Sequence, residues 1–168
     1  QEKLALGMWI MLREGSASRD LSALAPLLTG PGRHRCLLVS DDLCADDLLR
    51  HGHLDRLLRR AQALGVPLLE AVRAVTHNVA QRFGLRQRGA IAPGYVADLV
   101  AVEDTRGFNV HTVVKRGQVI VSGGQLLQPA TVSLASSAVR PPAVTLGDDC
   151  FRIEALGGGD QITCRVIE

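Results

Sequence analysis

Two short polar stretches, each directly behind an apolar run, are the first chemistry this chain offers. Met8 to Leu12 runs apolar into Arg13-Glu14-Gly15-Ser16, and Cys36 to Val39 runs apolar into Ser40-Asp41-Asp42. A carboxylate directly after a buried strand can ligate a divalent metal and take a proton from the water that the metal acidifies. Asp41 is placed for that task. The same position also suits a cap on a following helix, so spacing leaves Asp41 and Asp42 open between ligand and cap. Arg13 and Glu14 read equally well as a structural ion pair near a sheet edge.

His51-Gly52-His53 has the spelling of a metal-binding pair. On a helix, residues two apart point about 200° apart around the axis, so both imidazoles meet one ion only in an extended segment. Two surface or partly buried helical histidines are the plainer reading. His34, His77 and His111 stand alone and read as packing or surface residues. No phosphate loop, dinucleotide fingerprint, Ser-x-x-Lys or G-x-S-x-G occurs, which disfavours nucleotide-cofactor chemistry. Cys36, Cys44, Cys150 and Cys164 form no C-x-x-C pair. Neither a zinc ribbon nor a disulfide framework is expected, and reduced thiols in a cytoplasm are the default.

Composition narrows the field from the other side. The chain has 168 residues, 46% hydrophobic and 21% charged, which is enough apolar material for a globular core. Its net charge of +2 is too balanced to argue for nucleic acid or an anionic membrane surface. The longest apolar stretches are strand-length, far short of the roughly 20 residues that a membrane-spanning helix requires. No export signal is visible at the N-terminus.

The elements that must position these groups follow from periodicity. Continuous apolar runs fit strands buried on both faces, as in parallel sheets. Between the two runs, Leu21, Leu24, Ala25 and Leu28 recur at helical spacing, and Gly30-Pro31-Gly32 closes the segment. Asp46 or Asp47 then caps a helix carrying Leu54, Leu57, Leu58, Ala61 and Leu64 and ended by Gly65. Pro67 opens another, with Leu68, Ala71, Val72, Val75, Val79 and Phe83 on its buried side and Gly84 at its end. From Ala90 the pattern turns to strands at Leu99 to Val102, Val110 to Lys115 and Gln118 to Val121, with a hairpin turn at Arg116-Gly117. A closed parallel barrel needs about 250 residues, so these units form either a small open sheet or a piece of a larger protein. The absent initiator Met favours a piece.

Several phrases then coincide in order: Arg13-Glu14-Gly15-Ser16, Val39-Ser40-Asp41-Asp42, Gly52-His53-Leu54-Asp55, Ala74-Val75-Thr76-His77-Asn78-Val79-Ala80, Phe83-Gly84-Leu85, and Gly89-Ala90-Ile91-Ala92-Pro93-Gly94-Tyr95-Val96-Ala97-Asp98-Leu99-Val100. Together they resemble the metal-dependent amidohydrolase superfamily, most closely its adenine deaminases. The last phrase speaks for the superfamily. R-E-G-S, the S-D-D strand end and G-H-L-D narrow it.

The resemblance implies an α/β fold: the end of a TIM-like (β/α)8 amidohydrolase barrel over 1–88, a small β-sandwich segment over 89–128, and the start of an extra C-terminal α/β domain over 129–168. It makes Asp41 the carboxylate at the end of the last barrel strand, a metal ligand that also shuttles a proton. Glu14, Ser16, Asp42 and His53 fall in loops facing the same pocket, as substrate contacts or support, and Arg13 orients Glu14 or the adjacent backbone. The implied reaction is hydrolytic deamination of adenine to hypoxanthine and ammonia by a metal-bound hydroxide. The implied cofactor is a binuclear centre of manganese or iron, in a cytoplasmic homo-oligomer with a small-molecule substrate. The family's H-x-H, bridging carboxylate and remaining histidines have no counterpart here, so the chain alone is expected to be inactive. The competing readings are another amidohydrolase acting on a cyclic amide or a different nucleobase, and a non-catalytic remnant or interaction module.

Overall fold

The computed structural model describes residues 1–128 together with Gly147 and Asp149. The domain expected over 129–168 lies outside the described residues but for those two positions.

Strands β1 (Ile10–Arg13) and β2 (Cys36–Val39) pair in parallel, from Ile10 opposite Cys36 to Arg13 opposite Val39. Leu37 and Leu38, neighbours that point to opposite faces, are 0% and 1% exposed. Both faces of β2 are covered, as its unbroken apolar run requires. β1 begins at Ile10 and not at Met8, because the Met8 N–H closes the turn after helix α1 (Glu2–Ala5) by donating to the Lys3 carbonyl.

The connection between the strands is less regular than its spacing suggests. Helix α2 (Leu21–Leu24) tightens into a 3-10 turn at Ala25–Leu28, where Pro26 has no N–H to continue an α ladder. The periodic residues still share a face: Leu21, Ala25 and Leu28 are buried. A second 3-10 turn, Arg33–Arg35, leads into β2.

Both long helices expected downstream are broken in two. Helix α3 (Ala45–His51) and helix α4 (Leu54–Ala63) are separated at Gly52, whose φ of +87° suits glycine alone. The cap of α3 is Cys44, with Asp46 and Asp47 in the first turn, where negative charge suits the helix dipole. Leu54, just after the break, is 37% exposed and not on the buried face, which Leu57, Leu58 and Ala61 supply. Helix α5 (Leu68–Val75) and helix α6 (His77–Phe83) part at Thr76, whose hydroxyl donates to the Val72 carbonyl at 2.7 Å in competition with the backbone ladder. Pro67 is the cap of α5 and not its first residue. Phe83, expected inside, is 55% exposed.

The core lies between the parallel strands and the helices, with Leu12, Leu38, Leu57 and Ala71 each essentially buried. Asn78 on α6 is 3% exposed and donates through Nδ2 to the carbonyls of Arg33 and Cys36, at 3.1 and 2.9 Å. It ties α6 to the first residue of β2.

The remaining strands form an antiparallel meander, β3 (Leu99–Val102), β4 (Val110–Lys115), β5 (Gln118–Ser122) and the short β6 (Gln125–Leu126). Where a sandwich segment is expected, the described residues form this single four-stranded sheet. Arg116 and Gly117, both at positive φ, make the β4–β5 turn. Asp98 fastens it: its carboxylate accepts from the Arg116 N–H at 2.9 Å, from Lys115 Nζ at 3.0 Å and from the Arg88 guanidinium. These contacts, the Arg116 N–H first, hold the Asp98 carboxyl below the usual carboxylate range. No described helix is long and apolar enough to cross a membrane.

Candidate functional site

Because β1 and β2 are parallel, their carboxyl ends open on the same edge, and the two polar stretches meet there. The β1 loop wraps around the end of β2. Glu14 N–H donates to the Val39 carbonyl at 3.0 Å and Ser16 N–H to the Asp42 carbonyl at 3.4 Å.

Asp41 has a φ of +53°, left-handed backbone that costs a non-glycine residue about 1–3 kcal/mol unless its surroundings impose it. Its side chain is 42% exposed and accepts from Arg13 Nη1 at 3.3 Å. Arg13 does not pair with Glu14. It gives Nε and Nη2 to Asp20 Oδ2 at 2.9 and 2.7 Å. The hydrogen bonds and charge of Asp20, with the smaller effect of Asp41, keep the guanidinium pKa above its ordinary value.

Asp42 faces the β1 loop. One carboxylate oxygen accepts from the N–H groups of Ala17 and Ser18 at 3.0 and 3.2 Å. Desolvation works against the charged form here, yet these N–H groups and Arg13 hold the carboxyl below its usual range. Gly15 makes the approach possible: a Cβ there would lie 1.7 Å from Asp42 Oδ1 and 2.7 Å from the Ser40 carbonyl. Ser16 accepts from the Cys44 N–H at 2.9 Å and donates to Asp47 Oδ2 at 2.5 Å. That hydroxyl keeps the Asp47 carboxyl below the ordinary range. One serine therefore ties the β1 loop to the start of α3.

His53, released from helix by the Gly52 break, places Nε2 2.9 Å from Ser40 Oγ, while its N–H donates to Asp55 at 2.7 Å. His51 ends α3 with Nε2 3.9 Å from Asp47. The two histidines take different partners. Glu14 turns away from the common edge. It is 8% exposed, accepts from the Leu21 N–H at the start of α2 at 3.2 Å, and its own carbonyl accepts from Arg56 at 2.6 Å.

The edge thus gathers Asp41, Asp42, Ser16 and His53, and leaves Glu14 behind it. Ser40 of the second polar stretch joins them through His53, and the edge adds Asp20, which the sequence reading does not single out because it meets Arg13 only across the loop that follows β1. An apolar cleft of about 880 Å³, lined by residues including Val72, Val75, Val79, Val100 and Phe108, lies between α5–α6 and β3, and Asp41 does not line it.

Among the described residues no three His, Cys, Asp or Glu side chains converge on a point that could hold a metal. Asp41 fits as one donor to a hard divalent ion: a strand-end carboxylate, partly open, with Oδ1 not engaged by Arg13. Further donors would come from outside the described residues.

The sequence profile of the Amidohydrolase family matches residues 10–120. An adenine deaminase of Oceanobacillus iheyensis is 39% identical over 128 residues, 76% of this chain and 22% of that protein. One of Nitratidesulfovibrio vulgaris is 47% identical over 126 residues, 75% of this chain and 22% of its own. One of Methanoculleus marisnigri is 42% identical over 168 residues, covering 98% of this chain and 32% of its own. The chain thus spans well under half the length of these curated relatives. In the solved structures, a beta-aspartyl dipeptidase of Fervidobacterium islandicum AW-1 matches 77% of this chain and 37% of its own with a TM-score of 0.63 at 21% identity, a likeness of fold.

Proposed function

This chain belongs to the amidohydrolase family, and from that premise we propose that it is a segment of an adenine deaminase, carrying the end of the barrel and one of its metal ligands. The observation that carries the reading is Asp41: a strand-end carboxylate in left-handed backbone, presented at the edge where β1 and β2 both end. The adenine deaminases among the relatives point the chemistry toward adenine. The residues that bracket Asp41 stand in the same phrases that carry the family resemblance.

The reaction adds water across the carbon bearing the exocyclic amine; the carbon–oxygen bond forms, the carbon–nitrogen bond breaks, and hypoxanthine and ammonia leave. A divalent ion, manganese or iron, held in part by Asp41, would supply the acidity that makes water a nucleophile near neutral pH. The Asp41 carboxylate accepts the proton that the water gives up and returns it to the departing nitrogen. Asp42, Ser16 and His53 hold the loops around it, and Glu14 supports them from behind by capping α2. The setting we assign is a cytoplasmic homo-oligomer.

The test uses the full polypeptide of the gene that encodes this chain, loaded with manganese and assayed for ammonia release from adenine. Asp41→Asn is expected to lower kcat by about 10²–10⁴, the range for a lost general base, while the 168-residue chain alone releases none. Deamination that survives Asp41→Asn, or a preference for a cyclic amide or another nucleobase over adenine, would overturn the reading.

A further inference from the structure

Arg13 gives its two shortest contacts to a residue other than Asp41. Nε and Nη2 converge on one oxygen of Asp20 at 2.9 and 2.7 Å, and only Nη1 reaches Asp41 Oδ2, at 3.3 Å. One positive charge is shared between two carboxylates and held mainly by one of them. The Asp20 backbone is itself fixed, since its N–H donates to the Arg13 carbonyl at 2.9 Å across a turn closed by the Glu14–Arg19 bridge. The guanidinium is a planar fork, so one seated on Asp20 is not free to close on Asp41. The Arg13 and Asp41 side chains are 45% and 42% exposed, where water weakens their attraction further.

Asp41 therefore carries a counter-charge near enough to compete for its carboxylate and too loosely held to monopolise it. We propose that Arg13 and Asp20 together set how readily Asp41 accepts a divalent cation: Arg13 is the resident counter-charge that competes with the cation for the carboxylate, and Asp20 is the anchor that keeps that hold weak. The proposal rests on the reading of Asp41 as a cation ligand. Two positive groups compete for one carboxylate, so weakening the first strengthens the second.

The test titrates the metal-stripped full polypeptide with Mn²⁺, reading free ion by electron paramagnetic resonance. Arg13→Gln is expected to lower the Mn²⁺ Kd at least about threefold, and Arg13→Lys, which keeps the charge, to stay within about twofold of the parent. Asp20→Asn frees Arg13 to close on Asp41 and raises the Kd by at least about threefold. The double variant binds like Arg13→Gln, because without Arg13 there is nothing for Asp20 to restrain. Opposite shifts from two neighbouring residues are a signature that general loosening of the loop does not produce.

A Kd in Arg13→Gln equal to or above the parent's overturns the proposal, as does a shift of both single variants in one direction. If Arg13→Gln does not fold, Asp20→Asn decides against Arg13→Lys: weaker binding only in the former supports the proposal, and equal binding overturns it. Asp41→Asn separates the two levels. If it leaves the Mn²⁺ Kd unchanged, the ligand reading falls and this proposal with it; if it weakens binding while Arg13 and Asp20 variants do not split, only the proposal falls.

Discussion

Replacing Asn78 tests how firmly α6 holds the start of β2. The side chain donates two hydrogen bonds, to the carbonyls of Arg33 and Cys36, and its own Oδ1 is buried with no partner among the described residues. Truncation in Asn78→Ala loses two bonds worth about 1 kcal/mol each and leaves a buried carbonyl short of a donor for about 1 kcal/mol more. Removing the orphaned oxygen returns about 1 kcal/mol. The net is about 2 kcal/mol, which as a local opening free energy is about a thirtyfold faster amide exchange. The assay is hydrogen exchange over residues 36–39 in the full polypeptide. Asn78→Asp should exchange faster still, because a carboxylate oxygen would replace the donating group and face two carbonyl oxygens. Exchange in Asn78→Ala within about threefold of the parent, or an aspartate tolerated better than alanine, would refute the assignment of Asn78 as the donor that secures β2.

Gly15→Ala drives a methyl into Asp42 Oδ1 and the Ser40 carbonyl; it should release the β1 loop, seen as proteolytic cleavage within residues 14–19 that the parent resists. Asp98 has a folded pKa below its ordinary 3.8, so the stability it lends is present above about that pH and is lost as pH falls through the depressed value. Thermal midpoints of the parent and Asp98→Asn should therefore differ at neutral pH and converge in acid; a gap independent of pH would sink the charge argument. Burial pushes the Cys36 thiol up, and Cys44 is exposed; alkylation at mildly alkaline pH should label Cys44 and spare Cys36 until the protein unfolds.

The parallel strand pair and the meander were legible because their signals are local: unbroken apolar runs, two-residue alternation and a turn dipeptide at Arg116-Gly117. Asp41 was legible as a strand-end carboxylate. What escaped were events decided by a single backbone angle or by contacts far along the chain. Gly52 looks like an ordinary residue between two histidines, yet its positive φ ends one helix and sends His53 to Ser40. Thr76 is apolar enough in outline to ride inside a helix, yet its backbone leaves helical angles, at φ −128° and ψ −84°, and parts α5 from α6. Arg13 beside Glu14 suggests a pair, but neighbours on a strand point to opposite faces, so Arg13 turns to Asp20 and Asp41 while Glu14 goes under α2.

Helix α3 buries none of its residues, and Leu48 and Leu49 stand 44% and 85% exposed. The buried core and helix α3 are thus written in separate stretches of the gene. A lineage can rewrite the codons between Cys44 and Gly52 while the core beneath is untouched, provided an acceptor for Ser16 survives at position 47. Sequence change should be tolerated most readily in that stretch, and a library randomised there should keep the fold more often than one randomised in β2.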